Sequence, residues 1–77
     1  MLLASYLKKQ KVSQAEFAAL VGVSQSFVSQ VIAGTYVPRG RKAIDWASAT
    51  HWEVTPHELN PDDYPYPKDG LPDERAA

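Results

Sequence analysis

Cysteine is absent from the 77 residues, so neither a disulfide framework nor a cysteine-based zinc site stabilises the fold. The longest apolar run is only a few residues, and no spanning helix is expected. The N-terminus has no basic region preceding a long apolar core, which leaves no visible secretion signal and makes the cytoplasm the expected location. There is no glycine-rich phosphate loop and no reactive thiol. A chain this short permits one small domain and no second core, hence no cleft between domains. His51, Glu53, His57 and Glu58 form the one plausible metal or acid–base cluster. Its two histidines are six positions apart, a spacing that matches no familiar ligand pattern. No catalytic residue, metal ligand or cofactor is therefore expected. Without a staple, the fold must rely on good helix packing, an oligomeric partner, or both.

Charge of either sign is also nearly absent in the sum, a net of −1, but the average hides a division. Residues 1–55 set Lys8, Lys9, Lys11, Arg39, Arg41 and Lys42 against Glu16, Asp45 and Glu53, a balance of +3. Residues 56–77 set Lys68 and Arg75 against Glu58, Asp62, Asp63, Asp69, Asp73 and Glu74, a balance of −4. The body of the chain is mildly basic and its end acidic.

What the chain does have is helical grammar, concentrated between Gln14 and Ala33. Phe17, Leu20 and Val21 recur at helical spacing, with Ala18 and Ala19 between them. After Gly22, Phe27, Val28, Val31 and Ile32 repeat at three- and four-residue intervals. Ser13 with Glu16 fits a capping box, and Ser24 fits the N-cap of the second helix. Gly22 stands where the first helix must stop and the chain turn sharply. Polar Ser24, Gln25, Ser26, Ser29 and Gln30 are left on the outer face of the second helix, which carries neither Lys nor Glu. Glutamine can pair bidentately with adenine and serine can donate or accept, so this face suits base edges. The competing reading is a solvated face that happens to be neutral.

This arrangement resembles the helix-turn-helix of the Cro/cI-type repressors, the XRE class. The resemblance rests on Gln14 at the start of the first helix, small Ala18 at its middle, Gly22 at the turn, Val23 after it, and Val28 and Val31 in the second helix. It implies an all-α, lambda-repressor-like domain of four to five helices, with duplex DNA as its partner. It also implies base contacts from Gln25, Ser26, Ser29 and Gln30. Phosphate contacts are implied for Gln14 and Ser24, and for the segment after the second helix: Thr35, Tyr36, Arg39, Arg41 and Lys42. A homodimer on a two-fold operator, acting as a phage or prophage repressor, is the function the class suggests. A DNA-binding regulator of a toxin–antitoxin operon and a helical protein-binding adaptor are the alternatives. The stretch 49–64 also looks like the end of the YdaS-type prophage regulators, a looser likeness.

Around this centre, residues 2–10 read as a first helix with Leu3, Tyr6, Leu7 and Gln10 on one side. Lys8, Lys9 and Lys11 at its end suit either the helix dipole or phosphate. Gly34 reads as a C-cap, and Pro38 as a residue able to open the next helix. Residues 41–50 form that fourth helix, with Ala43, Ile44, Ala47 and Trp46 offered inward. Thr55-Pro56-His57-Glu58 repeats the capping-box pattern for a short fifth helix over 56–60. Trp52 is expected as a lid over the lower core, with a dimer anchor as the other reading. The domain is expected to span 1–60. Residues 61–77, with Pro61, Pro65, Pro67 and Pro72, predict an irregular acidic tail, extended and largely disordered. Tyr64 and Tyr66 could fold back from it, and its roles would be solubility or docking of a partner protein.

Overall fold

The computed structural model describes residues 1–72, and within them the backbone is helical and irregular, with no strand. Five helices follow in order: α1 Leu3–Gln10, α2 Gln14–Val21, α3 Gln25–Ala33, α4 Arg41–Ala49 and α5 Pro56–Leu59. The described chain measures 32 × 23 × 19 Å along its principal axes. The expectation of an all-α domain with four or five helices is met.

The starts and stops follow from local chemistry. Ser13 and Glu16 form the full capping box: the Glu16 N–H donates to Ser13 Oγ and the Ser13 N–H to Glu16 Oε1, both at 3.0 Å. Ser24 Oγ accepts from the Phe27 N–H at 3.2 Å. Thr55 and Glu58 repeat the reciprocal pair around Pro56 at the first position of α5. Each such cap satisfies amides that the first helical turn leaves without partners. Gly22 closes α2 with φ +77, ψ +35, and the N–H of Val23 returns to the Ala18 carbonyl at 2.9 Å.

The core is built where the helical stripes converge. Leu3, Tyr6 and Leu7 of α1, Phe17 and Ala18 of α2, Val28 of α3, and Ala43, Trp46 and Ala47 of α4 are buried together with Val54 and Leu59. Trp46 stands edge-on to Phe17 at 5.5 Å and to Phe27 at 5.6 Å between ring centroids. Such pairs add about 0.5–1.5 kcal/mol each beyond area burial. Ala43 and Ala47 are fully buried, so α4 approaches its neighbours closely beside the large indole. Trp52 is half-buried against the core, which supports the lid reading.

Three expectations are corrected. Leu20 is 65% exposed. The inward stripe of α2 is centred between Phe17, Ala18 and Val21, and Leu20 lies about 100° around the helix from that centre. Ile44 stands off the buried cluster for the same reason, since α4 turns Ala43, Trp46 and Ala47 inward. Pro38 does not open α4: it is buried in the loop, and Gly40 occupies the N-cap position.

The segment after α5 is irregular as expected and Tyr64 folds back as the sequence allowed, but the described part is not extended. The described part, residues 61–72, makes turns and returns to the domain instead of extending away. Tyr64 packs against the core, and its hydroxyl donates to the Gly40 carbonyl at 2.8 Å. Asn60 is buried and donates from Nδ2 to the Pro38 carbonyl at 2.8 Å. Proline content argued against a helix correctly, but it said nothing about the hydrogen bonds that fold irregular chain onto a core. The remainder of the acidic stretch, residues 73–77, lies outside the described residues.

Candidate nucleic-acid interface

The chain direction turns by 109° between α2 and α3, within the range that helix-turn-helix pairs adopt. Small Ala18, 2% exposed, lets the second helix cross the first, and Val28 at 0% anchors α3 from below. Burying a valine fully is worth about 1.5–3 kcal/mol, so the orientation of α3 is set mainly by its inner side. Phe27, Val31 and Ile32 are half-buried flanks packed against the same core.

With those positions facing inward, Ser24, Gln25, Ser26, Ser29 and Gln30 are all exposed. The resulting face carries amides and hydroxyls and no charge. Ser24 has its Oγ committed to the Phe27 amide as an N-cap. Gln25 Nε2 donates to Gln14 Oε1 at 3.3 Å, joining the first residue of α3 to the first residue of α2. Ser26, Ser29 and Gln30 side chains make no hydrogen bond among the described residues.

Beyond α3 the chain doubles back on its own helix end. The Thr35 hydroxyl donates to the Gln30 carbonyl at 3.1 Å, and the Thr35 and Tyr36 amides bond to the same oxygen at 3.0 and 3.3 Å. The Tyr36 ring packs against Phe27, tilted by 57° with centroids 4.5 Å apart, and Lys42 Nζ lies 5.4 Å from the centre of the Phe27 ring. The half-buried phenylalanine of α3 thus holds both the loop and a cation from α4. Arg41 makes an exposed i,i+4 pair with Asp45 at 3.4 Å, a contact worth only a few tenths of a kcal/mol. Arg39 is exposed and has no ion-pair partner among the described residues. The structure therefore gathers the expected residues into two groups: an uncharged face on α3 and a loop-plus-helix-start bearing Arg39, Arg41 and Lys42.

The lysines near the end of α1 separate. Lys9 Nζ pairs with Glu53 Oε1 at 2.9 Å, and Lys11 takes the left-handed C-cap position of α1 at φ +56. A cavity of about 130 Å³ lies elsewhere, lined chiefly by Leu2, Leu3, Val31, Ile32, Val54 and Leu59. Glu58 is the one polar side chain among the described residues that line it. Among the described residues no three of His, Cys, Asp and Glu gather to hold a metal ion. No single helix there is long and apolar enough to cross a membrane.

Sequence reasoning missed the contribution of Asn60, Asp63 and Tyr64 to the loop before α4. A usable signal existed: Asn60-Pro61 is a turn initiator, and Asp63 follows at the spacing of a side-chain-closed turn.

A helix pair turned through 109°, with a neutral polar outer face and a neighbouring basic loop, has the form of a helix-turn-helix. A family model described as helix-turn-helix matches residues 3–51, more than half of the chain. The chain belongs to that family, the Cro/cI-type or XRE class of DNA-binding transcription regulators. No curated protein and no solved structure gives a significant match. The likeness to the YdaS-type branch receives no support from the family match.

Proposed function

We propose that this chain is a sequence-specific repressor of the Cro/cI type, binding a two-fold duplex operator as a homodimer, in a phage or prophage switch in the cytoplasm. The observation that carries the reading is the outer face of α3: Gln25, Ser26, Ser29 and Gln30 are exposed and uncharged on a helix whose opposite side is locked by Val28. In this reading those four side chains read base edges, and binding rather than catalysis is the activity. Gln14 and Ser24 at the helix starts, with Thr35, Tyr36, Arg39, Arg41 and Lys42 after α3, contact phosphates and set the register. A two-fold site follows from the symmetry that pairs one recognition helix per half-site, about one DNA turn apart.

Selection of bound sequences from a random duplex pool tests the proposal. A palindromic motif with half-sites spaced by one helical turn is the expected result. Binding that enriches no sequence above the pool would remove specific repression and leave only a nonspecific or protein-binding role.

A further inference from the structure

Gly40, the residue from which α4 departs, has both of its backbone polar groups held by side chains from beyond α5. Its N–H donates to Asp63 Oδ2 at 3.1 Å, and its carbonyl accepts from the Tyr64 hydroxyl at 2.8 Å as well as from the Ala43 N–H of the first α4 turn at 3.2 Å. Two residues earlier, the Pro38 carbonyl accepts from Asn60 Nδ2 at 2.8 Å. The same amide group donates to Asp63 Oδ2 at 2.9 Å, so Asn60 and Asp63 act on the loop as one unit. Asn60 is 1% exposed, and a buried amide with its partners in place fixes geometry because leaving any of them unpaired is costly.

The loop needs this support. Gly40 has φ +52, ψ −124, a region that side chains other than glycine's avoid. Arg39 and Arg41 flank it, and Lys42 follows. From Val37 to Gly40 no backbone N–H bonds to another backbone group among the described residues. Of those N–H groups the strap takes that of Gly40, and the strap is itself tied together by hydrogen bonds. The Asp63 N–H donates to Asn60 Oδ1 at 3.1 Å and the Tyr64 N–H to the Asn60 carbonyl at 3.0 Å. His57 Nδ1 lies 2.8 Å from the Tyr64 carbonyl. A carbonyl only accepts, so that nitrogen carries the proton. Gly70 closes over the ring so tightly that a Cβ there would stand 3.1 Å from Tyr64 Cε1 and 2.9 Å from Pro56 Cγ.

We infer that Asn60, Asp63 and Tyr64 are positioning residues for DNA binding: they fix the backbone around Gly40 so that Arg39, Arg41 and Lys42 meet the phosphates as one preorganised set. The inference rests on the DNA-binding reading above and deepens it. It also makes sense of an acidic side chain beside a basic cluster. By long-range electrostatics alone, Asp63 weakens the attraction for DNA. Its two accepted hydrogen bonds to Gly40 and Asn60 give it a geometric role that outweighs this.

The opposite signs make the test sharp. Binding to the selected operator and to a random duplex is measured over a range of salt concentrations for wild type, Tyr64→Phe, Asp63→Ala and a triple Arg39→Ala, Arg41→Ala, Lys42→Ala variant. Tyr64→Phe loses only a hydroxyl and keeps its ring packed, so it should fold, with no more than the modest drop in melting temperature that one hydrogen bond accounts for. Tyr64→Phe and Asp63→Ala should each weaken binding to both duplexes about 3- to 10-fold, the scale of one lost ordering hydrogen bond, with a shallower salt dependence. Tyr64→Phe added to the triple variant should have no further effect on binding, which a merely structural role would not explain. Unchanged affinity for Tyr64→Phe, or tighter binding for Asp63→Ala, with the triple variant weakened, would overturn the inference and leave the DNA-binding reading standing. A triple variant that binds like wild type would overturn both the phosphate assignment and the inference. Should Asp63→Ala fail to fold, Tyr64→Phe alone decides.

Discussion

Gln25 Nε2 donates to Gln14 Oε1 at 3.3 Å across the turn between α2 and α3. The bond ties the first side chain of the outer α3 face to the start of the supporting helix. A glutamine that reads a base must hold its amide in one plane, and a long flexible side chain left alone pays rotamer entropy to do so. If Gln25 reads a base as proposed, the bond to Gln14 removes part of that cost before DNA arrives.

Gln25→Ala or Gln30→Ala should therefore lower specific affinity by about 1–3 kcal/mol while leaving binding to random duplex nearly intact. Gln14→Ala should reproduce part of the Gln25→Ala loss of specific binding and, as the removal of a proposed phosphate contact, should also weaken both duplexes alike. Equilibrium binding to operator and random duplex gives all of these values. Equal losses on the two duplexes for Gln25→Ala and Gln30→Ala would show that these two amides do not read bases.

The basic cluster is expected to behave in the contrary manner. Single replacement of Arg39, Arg41 or Lys42 by Ala should weaken all sequences alike. Each true phosphate contact removed should also flatten log K against log salt by about one unit. Lys42→Ala has a second consequence, because its ammonium leaves the face of Phe27. Loss of an exposed cation–π contact costs about 0.5–1 kcal/mol, so a modest drop in melting temperature should accompany it. Arg39, with no ion-pair partner among the described residues, should show the salt effect without the thermal one. An unchanged salt slope in the triple variant would place the cluster away from DNA.

How far the sequence anticipated this geometry depends on the range of the interactions involved. Capping boxes at Ser13 and Thr55, the N-cap at Ser24 and the turn at Gly22 all appear as expected. They are readable because each is made by residues three to five positions apart. The apolar stripes were readable in phase but less so at their edges, where Leu20 and Ile44 fell outside the core. A helical pattern fixes which residues share a side, and only the neighbouring helix decides how wide the buried stripe is. The Asn60–Pro38 and Tyr64–Gly40 bonds join residues more than twenty positions apart. No local periodicity carries such pairs, and the proline-rich composition around them pointed the other way. The outer face of α3 was legible because its residues are those left over once Val28 and its neighbours turn inward.

Acid should loosen α2 through its capping box. The Ser13 backbone N–H, and then the Ser13 side chain, hold the Glu16 carboxyl below the usual value of 4.5. A carboxyl with a depressed folded pKa stabilises the fold fully above its unfolded value, and the contribution is lost as pH falls through the folded value. Stability should therefore decline below about pH 4.5. Glu16→Gln keeps a side-chain acceptor but does not titrate, so its melting temperature should fall less than wild type's over that window. Identical acid profiles for the two proteins would remove Glu16 as a contributor.

The last prediction separates the turn from the face it presents. Gly22 sits at φ +77, and a Cβ built there meets no atom within 4 Å. Any cost of a side chain at this position is therefore conformational, not steric crowding by neighbours. Alanine should cost about 1–2 kcal/mol, the usual penalty of the left-handed region. Valine should cost more, because its branched Cβ is poorly tolerated there, and asparagine less. In a domain whose whole stability is a few kcal/mol, Gly22→Val should lower the melting temperature clearly. It should also weaken operator binding, since relieving the strain reopens the 109° turn and moves Gln25 and Gln30 together. Gln30→Ala, by contrast, should melt as wild type does and lose only specific binding. Graded loss in the order Asn, Ala, Val, in both melting and binding, is the expected result. If all three variants melt and bind as wild type, residue 22 is not under left-handed constraint in solution, and the orientation of α3 must be set by the packing of Val28 alone.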